Sequence, residues 1–300
     1  MIDGAILQNI LNFGPVFLLI AARAIAMIET APLLSSEAIP QVAKLALAGF
    51  AAFAVLPNAG VFSAELTAAG AAGVSGVGAV NLPGAGVLSD LRYEPFSFRF
   101  LLLLIGEGII GIIIGFYLTL IFATFSTAGQ FFSLQMGLGA SETFDPLAQV
   151  ENPLMGQYFN LVSMLVFLVV GGFRELFLGG FWRSVQSINI AMLIEGREPV
   201  ISMMATGLSR LFLDAMVISL PILGTLFLTS LSTGLISKAA PQINILSEGF
   251  PIAIITAYLL LFATLPFLVE AFSHVIDMGF ANIQSLYALI GQKIDAGGGL

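Results

Sequence analysis

The sequence predicts an all-α, membrane-associated chain of helical hairpins, with about six hydrophobic helical segments, some of them kinked or broken. Three observations carry this. The chain is 58% hydrophobic and only 9% charged, with a mean hydropathy of +1.02, whereas soluble domains run at roughly 45–50% apolar and about 25% charged. Its apolar residues collect into runs near the ~20-residue length that crosses a bilayer core as a helix. Prolines punctuate those runs at starts and interiors, where they set or bend helices.

The runs are Ile10–Ile28, Ala38–Leu56, Phe98–Phe125, Leu154–Val170 extended to Phe173, Leu211–Ile236 and Phe250–Phe272. The opening MIDGAILQN has no Lys or Arg, so it lacks the basic start of a cleavable signal peptide, and the first run is expected to stay as a span. Pro40 and Pro251 fall at expected helix starts, while Pro221 and Pro266 are internal and should kink or break their helices. Residues 58–95 form a Gly/Ala-rich insert within what reads as one domain over 1–300. A flexible linker is the plain reading of that insert, and a weakly inserted small-residue helix is the alternative. The Arg174–Arg210 connection reads as the most polar part of the chain.

Basic residues set an orientation. The even-numbered connections and the tails hold Arg92, Arg99, Arg174, Arg183, Arg197, Arg210 and Lys293, against Lys238 alone in the odd-numbered ones. By the positive-inside rule both termini are expected in the cytoplasm. Trp182, beside Arg183, suits an interfacial anchor. A net charge of −8 with ten basic residues argues against a nucleic-acid partner. No cysteine is present and His274 is the single histidine, which leaves neither disulfides nor a multi-histidine metal cluster. No P-loop, nucleophile elbow, zincin motif or dinucleotide fingerprint occurs, so no cofactor and no enzyme activity is expected.

Two features carry candidate function. The first is the set of charges inside the apolar runs: Arg23, Lys44, Glu107, Asp214 and Glu270. A charge at the bilayer centre costs at least about 2.5–3.5 kcal/mol, so each should face protein or water. Structural salt bridges between helices or subunits are the first reading, and a proton relay is the second. Glu270 lies near the end of its run and reads equally as a wet side chain. The second feature is residues 129–153, a plug-like loop that is apolar first and acidic later. Gly137 and Gly139 oppose a stable helix there. Gln135, Met136, Gly137, Leu138, Gly139 and Ala140 pair a deformable thioether with bendable backbone, a composition suited to a constriction that re-forms after a large cargo passes. On composition alone an ordinary buried turn is the first reading and a pore-closing element the second. A short parallel, Ala31-Pro32 then Glu37-Ala38-Ile39-Pro40 against Ala240-Pro241 then Glu248-Gly249-Phe250-Pro251, reads either as a degenerate repeat of two hairpin tips or as chance.

Four stretches resemble the flagellar biosynthetic protein FliR family. They are Thr30-Ala31-Pro32-Leu33 with Ile39-Pro40; Gly106-Glu107-Gly108-Ile109-Ile110-Gly111 with Gly115-Phe116; Ala128-Gly129-Gln130, Leu134-Gln135-Met136-Gly137-Leu138 and Asp145-Pro146; and Gly234-Leu235, Ala240-Pro241-Gln242 and Gly249-Phe250-Pro251. They keep the family's order along nearly the whole chain. The resemblance implies a subunit of the flagellar type III export gate in the bacterial inner membrane, at the basal body. It would form a channel with FliP- and FliQ-like partners, alongside FlhB- and FlhA-like proteins, and pass unfolded flagellar proteins. It also implies that the loop matching Gln130–Asp145, including Phe144 and Asp145, plugs that channel. Such complexes stand largely out of the bilayer plane, so lipid contact of each segment cannot be read from hydropathy. Departures are Gly171-Gly172-Phe173 where the family carries Gly-His, Lys238 where Arg is usual, and the long insert. A small-solute secondary transporter is the competing reading. It would need a central site at a repeat interface.

Overall fold

The structure, a computed structural model, describes residues 4–55, 98–137, 154–188, 193, 197–239 and 245–297. The 58–95 insert, residues 138–153 of the loop and the second hairpin tip at 240–244 lie outside the described residues. All regular structure among the described residues is helical. The helices are α1 (Gly4–Thr30), α2 (Gln41–Val55), α3 (Phe98–Gln135), α4 (Leu154–Val169), α5 (Gly172–Arg174), a π-helix (Glu175–Trp182), α6 (Arg183–Ser187), α7 (Arg197–Ala239) and α8 (Ile245–Gly297).

Each of the six apolar runs forms a helix, but fewer have the length of a full span. Among the described residues, three helices are long and apolar enough to cross a membrane: Phe100–Gln135, Arg197–Ala239 and Pro251–Ile290. The count reaches four if α4 and the helix over Gly172–Ser187 are one broken span. α2 has 15 residues, roughly 22 Å at the α-helical rise, short of the ~30 Å hydrocarbon core.

Glycine ends α3 and α4. α3 runs on to Gln135, seven residues into the 129–153 stretch read as loop, because nothing between Gln130 and Gln135 opposes a helix. It stops where Gly137 takes a φ of +79°. There Met136 N–H bonds Phe132 O at 2.9 Å and Gly137 N–H bonds Leu134 O at 3.1 Å, closing the last turn. α4 ends the same way, with Gly171 at φ +79°. By contrast α7 continues through Pro221 and α8 through Pro251 and Pro266, so the expected breaks do not occur, and Pro251 lies inside its helix instead of at the start. One missing N–H is a small loss in a helix of 43 or 53 residues. The Arg174–Arg210 connection is also corrected. Its first part is helical and sends Leu176, Phe181 and Val185 into the core, while Arg174 and Arg183 stay exposed.

The chain packs as two compact units: Met1–Thr119 with Phe173–Ala205 and Phe280–Leu300, and Leu120–Gly172 with Thr206–Gly279. In the first unit α1 and α2 form a hairpin. α2 buries Lys44, Ala48, Ala51, Ala52 and Val55, a helical stripe of mostly small side chains. α3 meets α1 through Gly111 and Gly115. A Cβ at Gly111 would lie 3.0 Å from Met27 N, and one at Gly115 would lie 2.8 Å from Met27 O. One turn further, Thr119 Oγ1 donates to Thr30 O at 2.8 Å. This small-xxx-small spacing lets two backbones approach closely.

In the second unit α3 and α4 touch at Gly129 and Gly156, where a Cβ at Gly129 would lie 2.9 Å from Gly156 Cα. Around that crossing lies an aromatic core. Phe125 and Phe159 both pack on Phe272, with ring centroids 4.3 and 5.5 Å apart, and Phe132 packs on Phe159 at 5.1 Å. Such ring pairs contribute about 0.5–1.5 kcal/mol each beyond their buried area. Along α7 the hydroxyls turn back onto their own helix. Thr225 donates to Pro221 O, Thr229 to Thr225 O, Ser232 to Leu228 O and Thr233 to Thr229 O.

Candidate functional site

The charges expected inside the membrane separate into paired and open groups. Arg23 lies on α1 and is fully buried; Glu107 lies on α3 and is 2% exposed. They form an ion pair in which Arg23 Nε donates to Glu107 Oε2 at 2.6 Å. The same guanidinium donates to Ser184 Oγ at 3.2 Å and to Ile188 O at 2.9 Å. A guanidinium carries its donors in a fixed fork. Here that fork joins three parts of the first unit: α1, α3 and the turn that ends α6.

The π-helix is held by the neighbouring side chains. Tyr287 O–H, from α8, donates to Gly180 O at 2.8 Å, and Ser184 Oγ donates to Phe181 O at 2.7 Å. Arg183 N–H is shared between Leu178 O and Gly180 O. On the outer side Arg183 donates to Gln284 Oε1 at 3.0 Å.

Lys44, 5% exposed, bonds Glu29 at 3.2 Å and Ser35 O at 3.1 Å, and so clamps the α1–α2 tip. Asp214 is half-buried with Arg210 and His274 as its charged neighbours. Glu270 and His274 are exposed, so Glu270 is not a buried charge within this chain. Its place toward the polar end of its run accounts for this. Arg23, Lys44 and Glu107 belong to the first unit, and Asp214 and Glu270 to the second. The sequence reading missed Glu29, one residue past the expected end of the first run. It also missed Ser184 and Tyr287, which lie outside every expected span. For Glu29 a signal exists: a carboxylate just before a proline-set tip and a lysine just after it.

Of the residues expected to seal a pore, the structure describes the first three. Gln135 is the last helical residue and is exposed. Met136 is fully buried, and Gly137 makes the turn. Leu138, Gly139, Ala140, Phe144 and Asp145 lie outside the described residues. The segment thus starts from an anchored root: Phe132 packs in the aromatic core of the second unit, Met136 is fully buried, and Leu134 is 70% exposed. Among the described residues no group of three His, Cys, Asp or Glu is placed to hold a metal ion.

Comparison with known proteins agrees with this architecture. The profile of the family described as "Bacterial export proteins, family 1" matches residues 15–279. The chain is 28% identical to the flagellar biosynthetic protein FliR of Escherichia coli (strain K12), over 89% of this chain and 88% of that one. It is 31% identical to the FliR of Borreliella burgdorferi, over 65% of this chain and 73% of that one. Similarity extends to the surface presentation of antigens protein SpaR of Shigella flexneri, at 31% identity over 53% of this chain and 61% of that one. The match spans the Arg23–Glu107 pair, the Met136–Gly137 turn, two of the three span-length helices and most of the third, and the chain belongs to the FliR family of bacterial export proteins.

Proposed function

We propose that this chain is a non-enzymatic, channel-forming component of the flagellar type III protein export apparatus in the bacterial inner membrane. In this reading it assembles with FliP- and FliQ-like subunits, and the segment that leaves α3 at Gln135 plugs the channel they share. FlhB- and FlhA-like proteins complete the gate, and unfolded flagellar proteins pass through it. The observation that carries the plug reading is the root geometry. A buried methionine is followed at once by a glycine at φ +79°, and the sequence beyond it is Leu138-Gly139-Ala140-Ser141. A fixed base followed by a glycine turn suits a tongue that moves aside and returns. The uncovered surface supports assembly. In the most apolar stretches of the three span-length helices, only 44%, 33% and 22% is buried within the chain.

The test is deletion of Leu138–Ser141, which keeps Met136 and Gly137 in place. Co-purification with FliP- and FliQ-like subunits is expected to persist while membrane ion conductance rises in idle cells. Conductance at the wild-type level, with the complex intact, sinks the plug assignment. Loss of co-purification from the wild-type chain sinks the assembly. A small-solute transporter would instead purify without those partners.

A further inference from the structure

An eight-residue π-helix, Glu175–Trp182, is an unusual length for a conformation found mostly as single-turn bulges at functional sites. Its hydrogen bonding shows how near the α register lies. In an α-helix Arg183 N–H would bond Gly179 O, four residues back. Here it bonds Leu178 O and Gly180 O, on either side of that acceptor. The wide register is supported from outside the helix. Tyr287 O–H donates to Gly180 O, and Arg23 takes Ser184 Oγ and Ile188 O just beyond the π-turn. Gly179 and Gly180 sit at the turn itself. A Cβ at Gly180 would find nothing nearer than Ile114 Cγ2 at 3.6 Å, whereas one at Gly179 would lie 3.1 Å from Glu175 Oε2 and 3.2 Å from Gln284 Nε2, both the ends of flexible side chains.

We propose that Glu175–Trp182 is a register switch between π and α, held in the π register by Tyr287 and sensed at the buried Arg23–Glu107 pair. Tightening to α rotates the downstream residues, α6 included, by about 100°, the angle one residue makes in an α-helix. Ser184 and Ile188 then leave Arg23. The guanidinium keeps Glu107 but loses its other two acceptors, which makes the change two-state instead of gradual. In the chain the element comes directly after the tongue, α4 and the Gly171 break. That a change of register there bears on export rests on the gate reading.

Two variants test it in the assembled complex. Tyr287→Phe removes one hydroxyl from a ring that is 6% exposed. Amide hydrogen exchange over 178–188 is expected to rise about tenfold, the equivalent of one buried hydrogen bond, with α2 unchanged. Equal exchange in variant and wild type overturns the proposal. Deletion of Gly179 removes one residue of winding, about 100°, so the segment winds as α while Ser184 and Ile188 keep their place at Arg23, and the switch is lost. The complex is expected to form but to export at least tenfold less, and wild-type export overturns the proposal. If the deleted chain does not accumulate, the exchange result for Tyr287→Phe decides alone. Exchange reports on the switch, and the conductance of the tongue deletion reports on the gate, so either can fail without the other.

Discussion

Arg23 shows why a charge persists in so apolar a chain. Its donors reach Glu107, Ser184 and Ile188, all within the first unit. Removing one partner of a buried pair strands the other and costs about 3–5 kcal/mol, whereas replacing both with apolar groups of similar volume is often neutral. Arg23→Met is therefore expected to destabilise the chain strongly, and Arg23→Met with Glu107→Leu to recover most of the loss. A double-mutant cycle on unfolding in detergent micelles measures this. Additive losses would show that the two side chains do not act as a pair. Both residues stood out in the sequence, because a charge inside an apolar run has to find a partner. Ser184 and Tyr287 did not. Their partners are backbone carbonyls around a π-turn, and no spacing of residue types announces a π-turn. Lys44 was visible too, yet its partner Glu29 lay just outside the window drawn around the first run.

At the scale of elements, glycines divide into those that make contacts and those that do not. Gly115 faces α1, where a Cβ would meet Met27 O at 2.8 Å, while Gly108, on the same helix, would meet nothing within 4 Å. Gly115→Ala is expected to cost about 1–3 kcal/mol, through forced backbone separation. Gly108→Ala is expected to stabilise by up to about 1 kcal/mol, through helix propensity alone. Opposite signs in thermal unfolding of the assembled complex confirm the contact, and equal effects count against it. The helices themselves were legible, because runs of apolar residues near bilayer length have few other structures open to them. Their ends were less so. Proline was expected to kink or break α7 and α8, and neither helix stops there. The true stops at Gly137 and Gly171 depend on a left-handed turn that many other glycines in this chain do not adopt. The helical start of the Arg174–Arg210 connection was not legible, because Leu176, Phe181 and Val185 form a short buried stripe between the exposed Arg174 and Arg183.

For the whole molecule, the uncovered side chains matter most. Phe212, Leu213, Met216, Val217, Leu259 and Phe262 are each more than half exposed. A chain produced without FliP- and FliQ-like subunits is expected to elute as a broad, aggregated species in mild detergent, and to sharpen to one peak when they are co-expressed. A sharp monomer on its own would show that lipid alone satisfies this surface. Family membership was legible from ordered motifs, while the route of the tongue was not, since the residues that would trace it lie past the last described turn at Gly137. The α7 hydroxyls bear on how such a surface is read. Each of Thr225, Thr229, Ser232 and Thr233 has already given its proton to a carbonyl of its own helix. To a neighbour the three threonines present methyl groups, and all four residues present oxygen lone pairs, little more demanding than alanine. Counting these residues as a water-wetted stripe would thus mistake a dry, slippery flank for a wet one, and a lipid tail or a sister helix can glide along it without breaking a bond.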